Sequence, residues 1–256
     1  MIRLLRPPFG LYLRRTAALG GLLALWEIAG YFGLVDAFYA PPPTQIAATM
    51  VQLFAEGEIY KHLEATFGAA LMGLAFGLMA GALLGFVAAL TPMIAELLEP
   101  VMAMLNAIPR VILAPLFIIW LGIGIASKVA LSFILVVVLT FFAVYNGIRD
   151  VDARLVERVR TIGGGPWVLL REVYVPSVVA WVMGSLKVAV GFAFTGAVVG
   201  EFVASSRGLG YLLSFAQSTY NASLTIALIV LVMVFVMILF TLAGLLERRL
   251  LRWKYR

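Results

Sequence analysis

The 256-residue chain is 63% hydrophobic and 12% charged, with a mean hydropathy of +1.06. Soluble domains carry about 25% charged residues, so this composition excludes a soluble enzyme, and its apolar content excludes a disordered chain. Cysteine is absent and His62 is the one histidine, which excludes a disulfide framework, a thiol nucleophile and a multi-histidine metal site.

Six apolar runs approach the roughly 20 residues that cross a bilayer as a helix. They cover about 16–35, 66–90, 101–123, 129–145, 177–204 and 224–246. A helix is predicted for each, because an open strand in lipid leaves backbone groups unpaired. The first run is followed by Ala40-Pro41-Pro42-Pro43, not by the small-residue site of a cleaved signal. The loop at 36–65 carries Asp36, Glu56, Glu58 and Glu64, and its prolines predict a stiff extended exit. In the second run Gly73, Gly77, Gly81 and Gly85 recur every four residues. That ridge invites close helix approach, and packing within the protomer is favoured over a homodimer seam. The third run is interrupted at Pro109 and Pro115. The loop at about 147–176 is the richest polar stretch, and reads as one or two short helices outside the bilayer, split by Gly163-Gly164-Gly165-Pro166. Pro176 is placed where the fifth span begins. The fifth run repeats the small-residue device with Ala189, Ala193, Ala197, Gly196 and Gly200. The expectation is an all-α integral membrane protein: one domain over 1–256, its core at about 16–246, with six spans.

Basic residues give the orientation. The N-terminal tail, the 147–176 loop and the C-terminal tail hold fourteen of the nineteen Lys and Arg residues, while Lys61, Lys128 and Arg207 fall on the other side. The positive-inside rule then places both termini in the cytoplasm. The high pI is a topogenic signal and implies no nucleic-acid partner. The partner it implies is the lipid bilayer.

No nucleotide-binding loop is present. Such a loop needs Gly-Lys followed by Ser or Thr, and none of Lys61, Lys128, Lys187 and Lys254 follows a glycine. ATP-driven transport would therefore need a separate ATPase chain. Ionisable groups inside spans cost roughly 2.5–3.5 kcal/mol at mid-helix, so Glu27, Arg110, Lys187 and Glu201 stand out. Helix–helix hydrogen bonding or interfacial placement is favoured for Glu27 and Glu201. Lys187 and Arg110 either line a path that attracts an anion or pair with a carboxylate or helix-end carbonyls. Lys187, Arg110 and Glu201 are the candidate pathway residues.

The loop reads Glu157-Arg158-Val159, three residues, Gly163, nine residues, then Val173-Tyr174-Val175-Pro176. This resembles the EAA loop of binding-protein-dependent ABC importer permeases. Glu157, Gly163 and Pro176 fall at the family spacing, and Arg158 and Val159 stand in place of two alanines. Several other motifs look like the nitrate/sulfonate/taurine/bicarbonate-type branch: Trp26-Glu27, Gly57-Glu58, Ile108-Pro109, Ala114-Pro115-Leu116, Trp120-Leu121-Gly122-Ile123-Gly124, Gly200-Glu201 and Gly208-Leu209-Gly210-Tyr211. The resemblance covers about 20–245. It implies a coupling helix that seats in an ATPase groove, with Glu157, Arg158, Val159, Gly163, Gly164 and Pro176 as its residues. It also implies two ATPase subunits that carry ATP and Mg, an extracytoplasmic substrate-binding protein and a second permease copy, most simply a homodimer. The location implied is a bacterial cytoplasmic membrane, and the solute a small one, leaning to an anion.

The alternatives are a secondary transporter or channel without an ATPase partner, and an intramembrane enzyme. The first often shows inverted repeats with broken helices in both halves; here one run is broken by proline and no repeat is evident. The second needs a nucleophile–base pair or metal ligands. His62 lies outside the runs, and neither Gly-x-Ser-x-Gly nor an intramembrane Asp pair occurs.

Overall fold

Every regular element among the described residues, 9–250 of the computed structural model, is a helix. Arg3, Arg6, Arg252, Lys254 and Arg256 lie outside the described residues, as does the side chain of Arg110. In chain order the elements are α1 (Phe9–Tyr31), α2 (Pro43–Ala55), α3 (Ile59–Leu90), α4 (Pro92–Ala107), a 3-10 turn (Arg110–Ile112), α5 (Leu113–Leu121), α6 (Ile125–Arg149), α7 (Ala153–Thr161), α8 (Pro166–Leu169), a π-turn (Leu170–Tyr174), α9 (Val175–Val203), α10 (Leu209–Ser218) and α11 (Ala222–Leu250). Among the described residues four stretches are long and apolar enough to cross a membrane: Ile59–Leu90, Ile125–Arg149, Pro166–Val203 and Ala222–Arg249.

The third apolar run is not one helix. Ile108 is extended, with φ −69° and ψ 128°, as the residue before a proline tends to be, and α4 ends there. Pro115 breaks nothing. It is the third residue of α5, where the missing N–H would have had no helical acceptor. The 36–65 segment, read as a loop, is largely helical. Pro42 is extended, but Pro43 opens α2, a position that suits its fixed φ.

The chain divides into two units. The first joins residues 1–59 to 215–231. Within it Glu27 of α1 accepts two hydrogen bonds from Thr44, from the backbone N–H at 3.0 Å and from the hydroxyl at 2.7 Å. Glu27 thereby caps the start of α2, where orphan donors and the helix dipole favour a carboxylate. Asn221 caps α11 in the same way through Leu224 N–H at 3.0 Å.

The second unit joins 60–214 to 232–256, and α6 is its axis. Leu131, Val136, Thr140, Phe141 and Val144 are almost wholly buried. The glycine ridge of α3 lies along one side of α6. A Cβ at Gly73 would meet Ser132 and Val129 O, one at Gly77 Val136, one at Gly81 Val137 O and Thr140, and one at Gly85 Phe141 O and Val144. The two residue sequences rise together, so α3 and α6 run parallel. On the other side Gly200 faces Lys128, Gly196 faces Ser132 and Gly147 faces Trp181, so α9 runs antiparallel to α6. The ridge thus packs within the protomer. Ser132 also donates to Ala193 O at 2.8 Å, a bond of the kind worth about 0.6 kcal/mol in a membrane bundle. Parallel packing of α3 and α6 requires residues 91–124 to return along the whole length of the pair.

Candidate functional site

Two groups of residues stand out. The first is the polar segment after α6. Asp152 caps α7 by accepting from Arg154 N–H at 2.8 Å. Glu157, Arg158 and Arg160 follow on this helix, with Glu157 and Arg158 exposed. At its end Gly164 N–H bonds Val159 O at 2.8 Å and Gly163 N–H bonds Arg160 O at 3.0 Å. This pair is a Schellman closure. Gly163 holds φ +82° with nothing within 4 Å of a Cβ, whereas a Cβ at Gly164 would run into Val159. The two glycines are needed for different reasons, one for its dihedral and the other for space.

Gly165 then caps α8, with Pro166 at its first position. From there the helix does not stop. It winds through the π-turn into α9, so that Pro166–Val203 is one helix of 38 residues. Pro176 is inside this helix, ten residues beyond its start, and is the second residue of α9. The π-turn explains the tolerance. Val175 N–H reaches back to Leu170 O, and this wider winding immediately precedes the ring that would otherwise crowd the preceding turn.

The second group lies where α3, α6 and α9 meet the start of α10. Three backbone donors there are received by side chains of other helices. Gly208 N–H bonds His62 Nδ1 at 3.1 Å, Leu209 N–H bonds Thr66 Oγ1 at 2.8 Å, and Gly210 N–H bonds Glu201 Oε2 at 3.0 Å. The Thr66 hydroxyl in turn donates to Glu201 Oε2 at 2.8 Å. His62 stacks on Tyr211 with ring centres 5.8 Å apart. His62, Thr66 and Glu201 are all buried. The arrangement satisfies the orphan donors of a helix start and sets a carboxylate against its dipole. Gly208, with φ +116°, leaves no room for a Cβ beside the Glu201 carboxylate.

Of the sequence candidates, Glu201 sits in this clamp. Lys187 on α9 forms an ion pair with Glu247 on α11 at 3.3 Å, the two side chains 47% and 18% exposed. These two sites are separate. Thr66, which bonds Glu201, and His62, which joins it in the clamp, were missed, as was Lys128 nearby. The i, i+4 spacing of His62 and Thr66, and the two glycines seven and nine residues after Glu201, are the signals that could have found them.

The chain belongs to the family of binding-protein-dependent transport system inner membrane components, which it matches over residues 73–252. Membership makes it a membrane-embedded transport permease. SsuC of Bacillus subtilis (strain 168), described as an aliphatic sulfonates transport permease protein, is 31% identical over 237 residues, covering 91% of this chain and 84% of its own. The riboflavin transport system permease protein RibX of Chloroflexus aurantiacus (strain ATCC 29366 / DSM 635 / J-10-fl) is 34% identical over 233 residues, covering 91% and 87%. Among solved structures, the MetNI methionine ABC transporter in an inward-facing conformation shares the fold, with a TM-score of 0.63 at 20% identity over 79% of this chain and 98% of that one.

Proposed function

We propose that this chain is the permease subunit of an ATP-driven importer in a bacterial cytoplasmic membrane, forming the path for a small organic anion of the sulfonate class. It works as a homodimer with two ATPase subunits, which carry the ATP and Mg, and with an extracytoplasmic binding protein. The chain itself is not catalytic. It crosses the membrane six times as one permease domain with both termini in the cytoplasm. The charge bias of the tails and the return of residues 91–124 along α3 and α6 support that topology. The sulfonate class rests on the similarity to SsuC.

The observation that carries the reading is the join between α7, α8 and α9. A short helix, α7, ends in a glycine closure, and after Gly165 the chain enters a helix that winds without a break from Pro166 to Val203. Such an element passes a push from a cytoplasmic ATPase directly into the bilayer. Glu157, Arg158, Val159, Gly163, Gly164 and Pro176 make up the coupling element. The two-state logic is that ATP binding favours one arrangement of the partners and the coupling helices bias the pore accordingly.

The test is co-expression with a candidate ATPase, followed by pull-down and uptake in reconstituted vesicles. Cysteines introduced at Thr161 and Ser205 report topology against a cysteine-free background. The expected pattern is labelling of Thr161→Cys from the cytoplasm alone, labelling of Ser205→Cys from outside alone, and ATP-dependent uptake. ATP-independent uptake with no bound ATPase would instead indicate a secondary transporter or channel.

A further inference from the structure

A pocket of about 520 Å³ opens beside the Glu201 clamp, lined among others by Lys61, Glu64, Lys128, Glu201, Ser205 and Arg207. The basic residues are a particular set. Lys61, Lys128 and Arg207 are the ones left over when the two tails, the 147–176 loop, Arg110 and Lys187 are set aside. All three line this one pocket.

Lys128 is its deepest cation. It is 3% exposed, one turn into α6. Its Nζ donates to Ile123 O at 2.9 Å. An ammonium has three donors, and a buried one is costly unless they are met. Glu201 is within electrostatic reach, yet among the described residues no ion pair joins the two. Glu201 Oε2 is already committed to Thr66 and Gly210 N–H. Arg207 stands at the exposed rim. The turn that carries it is fixed by Ser205, whose hydroxyl donates to Arg207 O at 2.7 Å. Lys61 and Glu64 share one wall, a turn apart on α3. The lining holds two lysines and one arginine beside two glutamates, an excess of one basic residue that suits a single negative charge. Its volume lies in the usual range of small-ligand sites, about 300–1,000 Å³.

We propose that this pocket binds a small organic monoanion, with the sulfonate or carboxylate group held between Lys128 and Arg207. The binding itself needs only the pocket; its place at the mouth of a transport path rests on the permease reading.

The test uses the full chain in lipid nanodiscs, with ethanesulfonate as the probe and ethylammonium as a cation of similar size. Calorimetric titration should give saturable binding of ethanesulfonate and none of ethylammonium. Lys128→Met should weaken binding at least about tenfold, the loss of a charge-assisted hydrogen bond. Arg207→Gln changes an exposed residue and decides the matter should Lys128→Met fold poorly. It should also weaken binding several-fold. Absence of ethanesulfonate binding to the unaltered chain, or equal binding by Arg207→Gln, overturns the proposal. Such a result beside normal ATPase pull-down and ATP-dependent uptake leaves the permease reading standing. Ethanesulfonate binding by a chain that captures no ATPase in the pull-down and takes up solute without ATP supports the pocket and sinks the permease reading.

Discussion

The Thr66 hydroxyl donates to the Glu201 carboxylate across 135 residues of sequence, and the same hydroxyl oxygen accepts from Leu209 N–H. One threonine therefore links α3 to the end of α9 and to the start of α10. Removing any member leaves buried polar groups without partners, the expensive direction of that asymmetry.

The sharpest probe of this clamp is Gly208→Ala. The added methyl meets the Glu201 carboxylate, and the residue holds φ +116°. A loss of about 1–3 kcal/mol is expected, read as a lower melting temperature in detergent. Gly124→Ala is the control, because a Cβ there meets nothing within 4 Å. Equal behaviour of the two variants would show that the clamp contributes nothing.

The glycine ridge yields a second contrast. At Gly81 a Cβ would lie 2.6 Å from Val137 O and 2.7 Å from the Thr140 Cβ. Gly81→Leu should separate α3 from α6, with overpacking of about 1–3 kcal/mol or more and a fall in folded yield. Gly184→Leu, facing open space, should leave yield unchanged. Fluorescence-detected size exclusion on the two variants checks the difference.

At the end of α7 the cause of the glycine requirement is separable. Gly163 needs its positive φ but has open space around it. Asn tolerates the left-handed region, and a β-branched residue does not. Gly163→Asn should keep most coupled uptake, while Gly163→Val should lose it with the chain still inserted. Loss in both would mean that the surface of the partner, not the dihedral, forbids a side chain.

Lys187, about half exposed, pairs with the more buried Glu247, and a single pair of this kind away from the deep core is worth about 0–1 kcal/mol. Lys187→Met should therefore lower the melting temperature slightly and leave uptake within about twofold, since the lost pair is small. The charge-swapped double variant, Lys187→Glu with Glu247→Lys, should restore the difference. Uptake abolished by Lys187→Met in a stable complex would place the lysine in the path.

What the sequence made legible was local. The four-residue glycine spacing of α3 depends on short-range periodicity and corresponds to the face packed on α6, and the glycine cluster at 163–165 corresponds to the closure of α7. The break at Pro109 followed from the restriction a proline places on its neighbour. Pro115 and Pro176 were harder, because a proline in a first turn or after a π-turn costs little and the residue type alone does not reveal which applies. Of the clamp, only Glu201 and its helix–helix hydrogen bond were legible. Its bonded partners are separated by up to 146 positions, and short-range spacing does not show that a lone histidine, a threonine and two glycines meet until the helices are side by side.

The unbroken winding from Pro166 to Val203 sets the mechanical gain of the molecule. At about 1.5 Å per residue, 38 residues make a rod of roughly 57 Å. Small angles at one end of such a rod become large excursions at the other. A tilt of about 10° imposed near Trp167 sweeps the far end through about 10 Å, by the same helical rise, and that far end carries Glu201. An angular input near Trp167 would thus reach, amplified by length, the residue that holds α3 and α10 together.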